Sequence, residues 1–73
     1  MRITENQLEN RIKVINSLTN NKYNIKLKKY IDYYLEVNGQ EVNEKQWNGK
    51  QVMKYLDDTF NNEIRQIIIE LNK

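Results

Sequence analysis

The sequence predicts a small α+β domain in the order α-β-β-β-α, with a three-stranded antiparallel meander and two helices packed on one face. Three observations carry this. Both ends of the chain hold apolar residues at helical spacing behind complete N-capping signals. Between them, residues 23–42 switch to the period of two that marks a strand with one wet face. Asn38-Gly39 sits inside that stretch and is a hairpin dipeptide, because a type I′ turn needs positive φ at both central residues.

The first helix start is Ile3-Thr4-Glu5-Asn6-Gln7-Leu8. Thr4 is the N-cap, Gln7 stands where its amide reaches back to the cap, and Ile3 and Leu8 hold the two positions of a hydrophobic staple. The helix is expected from Glu5 to Leu18, with Leu8, Ile12, Ile15 and Leu18 as its buried stripe and Val14 toward the edge. Glu9 and Lys13 have the favourable i, i+4 order. Thr19-Asn20-Asn21 ends it, since Asn tolerates the left-handed conformation.

Tyr23, Ile25 and Leu27 then alternate with Asn24, Lys26 and Lys28, giving a strand over 23–27. Lys29-Tyr30-Ile31-Asp32 breaks the alternation and is expected to turn. Tyr33, Leu35 and Val37 form the second strand. A two-residue Asn-Gly loop pairs Val37 with Gln40 and Leu35 with Val42, so the third strand over 40–43 is short. The helix-facing set is Tyr23, Ile25, Leu27, Tyr33, Leu35, Val37 and Val42. The far face carries Asn24, Lys26, Lys28, Tyr34, Glu36 and Glu41.

Trp47-Asn48-Gly49-Lys50-Gln51-Val52 repeats the first capping pattern. The second helix is expected from Gly49 to Leu71, about 34 Å long at 1.5 Å per residue. Val52, Leu56, Phe60, Ile64, Ile67 and Leu71 line one face. Asn61-Asn62 is its weak point, where a bend or fraying is expected. Beyond it, Ile67-Ile68-Ile69 widens the apolar arc past what one sheet can cover.

Size and composition narrow the function. Seventy-three residues make one domain, residues 1–73. Such a core gives only about 3–5 kcal/mol of net stability. The chain has no Cys and no His, so disulfides, thiolate metal sites and the commonest general base are all excluded. Adjacent Asp57 and Asp58 diverge by about 100° on a helix and, with Glu63, make a solvated face in preference to a metal site. No catalytic residue, cofactor or metal is therefore expected, and the chain reads as a non-enzyme. No apolar run approaches the roughly 18 residues of a membrane span. The first ten residues lack the apolar core of a secretion signal. The expected location is the cytoplasm of a bacterial host cell, with no membrane partner.

Two surfaces are left for partners. Ile64, Ile68, Ile69 and Leu71, with Tyr30 and Tyr34, are the expected protein-binding residues, because exposed apolar arcs and tyrosines mark interfaces. A homodimer through the C-terminal helix is one form this takes. The alternative is a nucleic-acid surface of Lys22, Lys26, Lys28, Lys29 and Tyr34, basic groups with an aromatic on an open sheet face. Charge segregation fits it: residues 1–30 hold seven basic against two acidic side chains, net +5, and residues 31–73 five against eight, net −3. Glu36 and Glu41 on the same face oppose it.

A capped helix with an Asn-rich end (residues 4–19), a Tyr-x-Ile-x-Leu strand (23–27), a Tyr-x-Leu-x-Val strand (33–37) and a closing capped helix (48–71) resemble the small accessory proteins of phages and mobile elements of Gram-positive bacteria. The chain departs from that pattern at Lys29-Tyr30-Ile31-Asp32, where a Gly-rich turn is common. The resemblance implies a module that binds a host protein and occludes its surface, as inhibitors of host defence, anti-CRISPR proteins among them, do. A structural homo-oligomer is the remaining alternative.

Overall fold

A computed structural model describes residues 2–72. The element order is α1 (Glu5–Leu18), β1 (Ile25–Lys29), β2 (Tyr33–Val37), β3 (Gln40–Glu41) and α2 (Gly49–Leu71). The strands form one antiparallel sheet in the order β1-β2-β3. α1 lies over β1 and α2 over β2.

Both helices begin with a complete capping box. The Thr4 hydroxyl accepts from Gln7 N–H at 3.2 Å, and the Gln7 amide oxygen accepts from Thr4 N–H at 2.8 Å. Asn48 and Gln51 make the same exchange at 2.9 and 3.0 Å. Each satisfies two of the N–H groups that a helix start leaves without partners. α1 ends at Thr19, whose hydroxyl donates to Ile15 O at 2.7 Å. Asn20 and Asn21 follow at φ 58°, the left-handed region that short amides tolerate. Asn38 (φ 55°) and Gly39 (φ 84°) make the expected positive-φ hairpin turn.

The structure corrects four sequence expectations. The first strand lies two residues later, at Ile25–Lys29, with Ile25 opposite Val37 and Lys29 opposite Tyr33. The Asn38 side chain accepts from Asn24 N–H at 3.0 Å, and Asn38 N–H donates to Asn24 O at 2.8 Å, so pairing starts at Asn24. Tyr23 is left as a packing residue and Lys29 joins the strand. The third strand stops at Glu41, although Val42 N–H still bonds Leu35 O at 2.9 Å. α2 runs unbroken through Asn61-Asn62. Both side chains are exposed there, and the few tenths of a kcal/mol that Asn costs in a helix do not interrupt the ladder. Finally, no Glu9–Lys13 ion pair forms among the described residues. Arg11 instead reaches Asp57 on α2 at 3.6 Å.

Leu8, Ile12 and Ile15 from α1, Ile25, Tyr33 and Leu35 from the sheet, and Val52, Leu56 and Phe60 from α2 form the core. Leu18 is only half buried. Tyr23 meets Phe60 edge-on at a centroid distance of 4.9 Å, and Trp47 lies against Tyr55 at 5.5 Å.

Four chain reversals separate α1 from α2, so the helices run parallel. Their stagger can be read from two contacts. Ile3 lies against Gly49, and Arg11 pairs with Asp57, each pair separated by 46 positions. α1 therefore runs out, at Leu18, level with Ile64. Lys22 and Tyr23, just beyond α1, accordingly reach Glu63. Past that level α2 has no neighbouring helix, and its last two turns overhang the body.

Candidate interaction surfaces

The apolar side chains of the overhang are exposed in proportion to their distance from the body. Ile64 still packs against the core, while Ile68, Ile69 and Leu71 are 45%, 50% and 74% exposed. The overhang exists because α2 is nine residues longer than α1 while both start at the same level. Its Ile run makes it apolar on more than the body-facing side.

The base of the overhang is anchored. The Tyr23 hydroxyl donates to a Glu63 carboxylate oxygen at 2.6 Å, and the Lys22 ammonium lies 3.6 Å from that oxygen and 5.4 Å from the Tyr23 ring centroid. The hydrogen bond to Glu63 raises the Tyr23 pKa above its ordinary value, burial and the carboxylate charge adding to it.

Tyr30 and Tyr34 stand elsewhere. Their rings meet edge-on at 5.5 Å, Tyr30 is exposed, and Tyr34 is half buried on the far sheet face opposite Lys28. They belong to the pole that holds the start of α2, roughly 30 Å along the helix from its end. The structure thus places the tyrosines and the isoleucines at opposite poles, and they do not form one surface.

The basic strand is largely engaged within the molecule. Lys28 lies 3.0 Å from Glu36 and 3.7 Å from Glu41. Its hydrogen bond with Glu36 and that carboxylate's charge raise the Lys28 pKa. The Lys29 ammonium donates to Ile31 O at 2.8 Å and sits over the Tyr33 ring at 4.9 Å. Lys22 is held by Glu63. Among the five residues of the nucleic-acid reading, Lys26 and Lys29 are exposed without an ion pair, Lys29 resting on Ile31 O and the Tyr33 ring and Lys26 standing opposite Glu36.

The acidic residues of α2 are also dispersed. Asp57 goes to Arg11, Asp58 to Lys54 at 2.8 Å, and Glu63 to Tyr23 and Lys22. Among the described residues no group of three metal-ligating side chains gathers, and no helix is long and apolar enough to cross a membrane. The Asp58 hydrogen bond raises the Lys54 pKa.

These three raised values act in one direction. A group whose folded pKa is raised contributes its stability in full below the unfolded value and loses it as pH climbs through the folded value. Stability is therefore expected to fall as pH rises past 10.0 for Tyr23 and 10.5 for Lys28 and Lys54. Thermal midpoints across an alkaline series check this, and Tyr23→Phe should flatten the first part of the decline. A midpoint that stays constant well beyond the ordinary lysine value would contradict it.

The structure adds one feature that the sequence does not signal. Asp32, Tyr33, Lys29 and Arg2 converge with Asn48, Gly49 and Lys50 around a cleft of about 300 Å3 at the start of α2. These residues come from four separate stretches of chain, so only the fold unites them.

No protein-family model, curated protein or solved structure matches the chain.

Proposed function

We propose that the protein is a non-enzymatic interaction module that presents the overhang of α2 to a protein partner and occludes the surface it lands on. The observation that carries this is the exposure of Ile68, Ile69 and Leu71 on a helix end with no neighbouring helix. Burying a fully exposed Ile or Leu side chain is worth about 1.5–3 kcal/mol, and with about half to three-quarters of their surface still open these three together supply the centre of an interface. Gln66 and Glu70 project from the side of the helix opposite Ile68 and Leu71, which leaves the arc bounded and suits an apolar groove with a polar rim. The resemblance to small phage accessory proteins puts the partner among host proteins. The basic-strand alternative loses ground because Lys22 and Lys28 are held in ion pairs with Glu63, Glu36 and Glu41.

Ile68→Asp and Leu71→Asp test the proposal, since both positions are exposed and neither is in the core. Thermal midpoints should stay within a few degrees of the parent. A host protein captured by the parent should be lost, by at least about tenfold, from both variants. Equal capture by parent and variants would refute the assignment of the surface. Sedimentation of the purified chain reports whether a second copy is the occupant. A concentration-dependent dimer abolished by Ile68→Asp would make it so.

A further inference from the structure

We propose that the cleft at the start of α2 binds a phosphate group, held by Arg2, Lys29 and Lys50. This site lies at the opposite pole from the overhang and does not depend on it.

Charge is the first argument. Three cations line one cleft of about 300 Å3 against a single carboxylate, Asp32. Elsewhere the cations are either paired (Arg11 with Asp57, Lys22 with Glu63, Lys28 with Glu36 and Glu41, Lys54 with Asp58) or, like Lys13, Lys26, Lys45 and Arg65, exposed and outside this cleft. None of the three cleft cations has a carboxylate partner among the described residues, although Asp32 lines the same cleft. Like charges gathered around a concave surface repel one another and focus a positive potential that a bound anion relieves.

Placement is the second argument. The Lys29 ammonium is fixed by Ile31 O at 2.8 Å and the Tyr33 ring at 4.9 Å, so holding it at the cleft needs little further ordering. Arg2 is carried there by packing. A Cβ on Gly49 would stand 2.8 Å from Ile3 O, so only glycine lets the N-terminal segment press against this turn. The first turn of α2 also has no acidic residue and carries Lys50 instead, which the helix dipole disfavours unless an anion is present. The dipole adds to the site and does not define it.

The size and isolation of the cleft favour one phosphate group over a nucleic-acid backbone. A backbone needs a continued track of free cations, and Lys28, next along β1, is paired with Glu36 and Glu41. The phosphate can belong to a small soluble molecule or to a lipid headgroup. Ile31, 87% exposed and one residue from Asp32, stands ready for the second.

The test is an amide NMR titration with inorganic phosphate and pyrophosphate at constant ionic strength. Saturable shifts are expected at Arg2, Lys29, Gly49 and Lys50. Lys50→Gln should weaken pyrophosphate about tenfold, the worth of one charge-assisted hydrogen bond. Lys26→Gln, exposed and outside the cleft, should change it by less than about twofold. Lys50 is exposed, and spectra that superpose away from the cleft will show the variant folded. Co-sedimentation with phosphatidylcholine vesicles containing phosphatidic acid, lost in Lys50→Gln and in Ile31→Ser, would assign the phosphate to a lipid. Saturable pyrophosphate binding without vesicle binding would assign it to a soluble ligand. Shifts spread evenly over Lys26 and Lys45, or affinity unchanged in Lys50→Gln, would overturn the proposal. So would a single-stranded oligonucleotide that binds through Lys26 as strongly as through Lys50.

Discussion

Leu56→Ala is expected to leave the domain largely unfolded at room temperature. Leu56 is fully buried, in the α2 row Val52-Leu56-Phe60 that meets α1 and the sheet together. Truncating such a leucine costs about 2–5 kcal/mol, from lost transfer free energy and the cavity left behind. A domain of this size has only about 3–5 kcal/mol in hand. There is no cysteine, so no disulfide limits the unfolded state. Among the described residues nine buried apolar side chains make up the core, too few for neighbours to collapse into the gap cheaply. Far-ultraviolet circular dichroism during urea titration measures the effect. A cooperative transition with its midpoint moved only slightly would mean that the core repacks and that the helices hold themselves. The contrast with Ile68→Asp is informative. Twelve positions further along the same helix, a harsher substitution should leave stability almost unchanged, because Ile68 is exposed and lies past the level of Ile64, where α1 ends.

That contrast was legible in the sequence. The apolar pattern of residues 49–71 widens beyond Asn61-Asn62, and a two-layer domain of this length has nothing to cover it. The capping boxes and the Asn-Gly turn were legible for a related reason: each is a local interaction between residues within three positions of one another. The start of β1 was not, because a long-range contact, Asn38 onto Asn24, decides it. Continuity through Asn61-Asn62 was missed because propensity is a weak prior against a helix already nucleated and packed on its first half. The separation of the tyrosines from the isoleucines needs the parallel stagger of the helices. The cleft needs Gly49 and Ile3 in contact, two residues 46 positions apart. Alternation put Lys26 and Lys28 on a common sheet face with Glu36 and Glu41. The ion pairing of Lys28 with both carboxylates depended on the cross-strand register, which puts Glu36 diagonal to Lys28 and Glu41 beyond Glu36, and leaves Lys26 unpaired opposite Glu36.

Asn43→Ala is expected to cost about 1–3 kcal/mol, the penalty of a buried polar group left without its partner. Asn43 is 5% exposed and acts in place of the strand that stops at Glu41. Its side-chain oxygen accepts from Leu35 N–H at 3.1 Å, and its amide nitrogen donates to Tyr33 O at 3.1 Å and Lys45 O at 2.7 Å. One side chain thus closes the open side of β2 and turns the chain toward Trp47. There Trp47 N–H and O exchange hydrogen bonds with Tyr33 O and N–H, both at 2.9 Å. Asp32 N–H meanwhile donates to the Gln46 side chain at 2.7 Å. Without Asn43, the Leu35 amide loses its acceptor in a buried setting and should exchange faster with solvent. Unchanged protection of the Leu35 amide, or a denaturation midpoint equal to the parent's, would disprove this role. The consequence reaches function, because the Tyr33–Trp47 bridge ends one residue before the Asn48 cap. Asn43 therefore sets where α2 begins, and with it the position of Lys50 against Lys29 and Arg2. The Asn43→Ala variant that remains folded should bind pyrophosphate more weakly than the parent, although Asn43 is not among the residues that line the cleft.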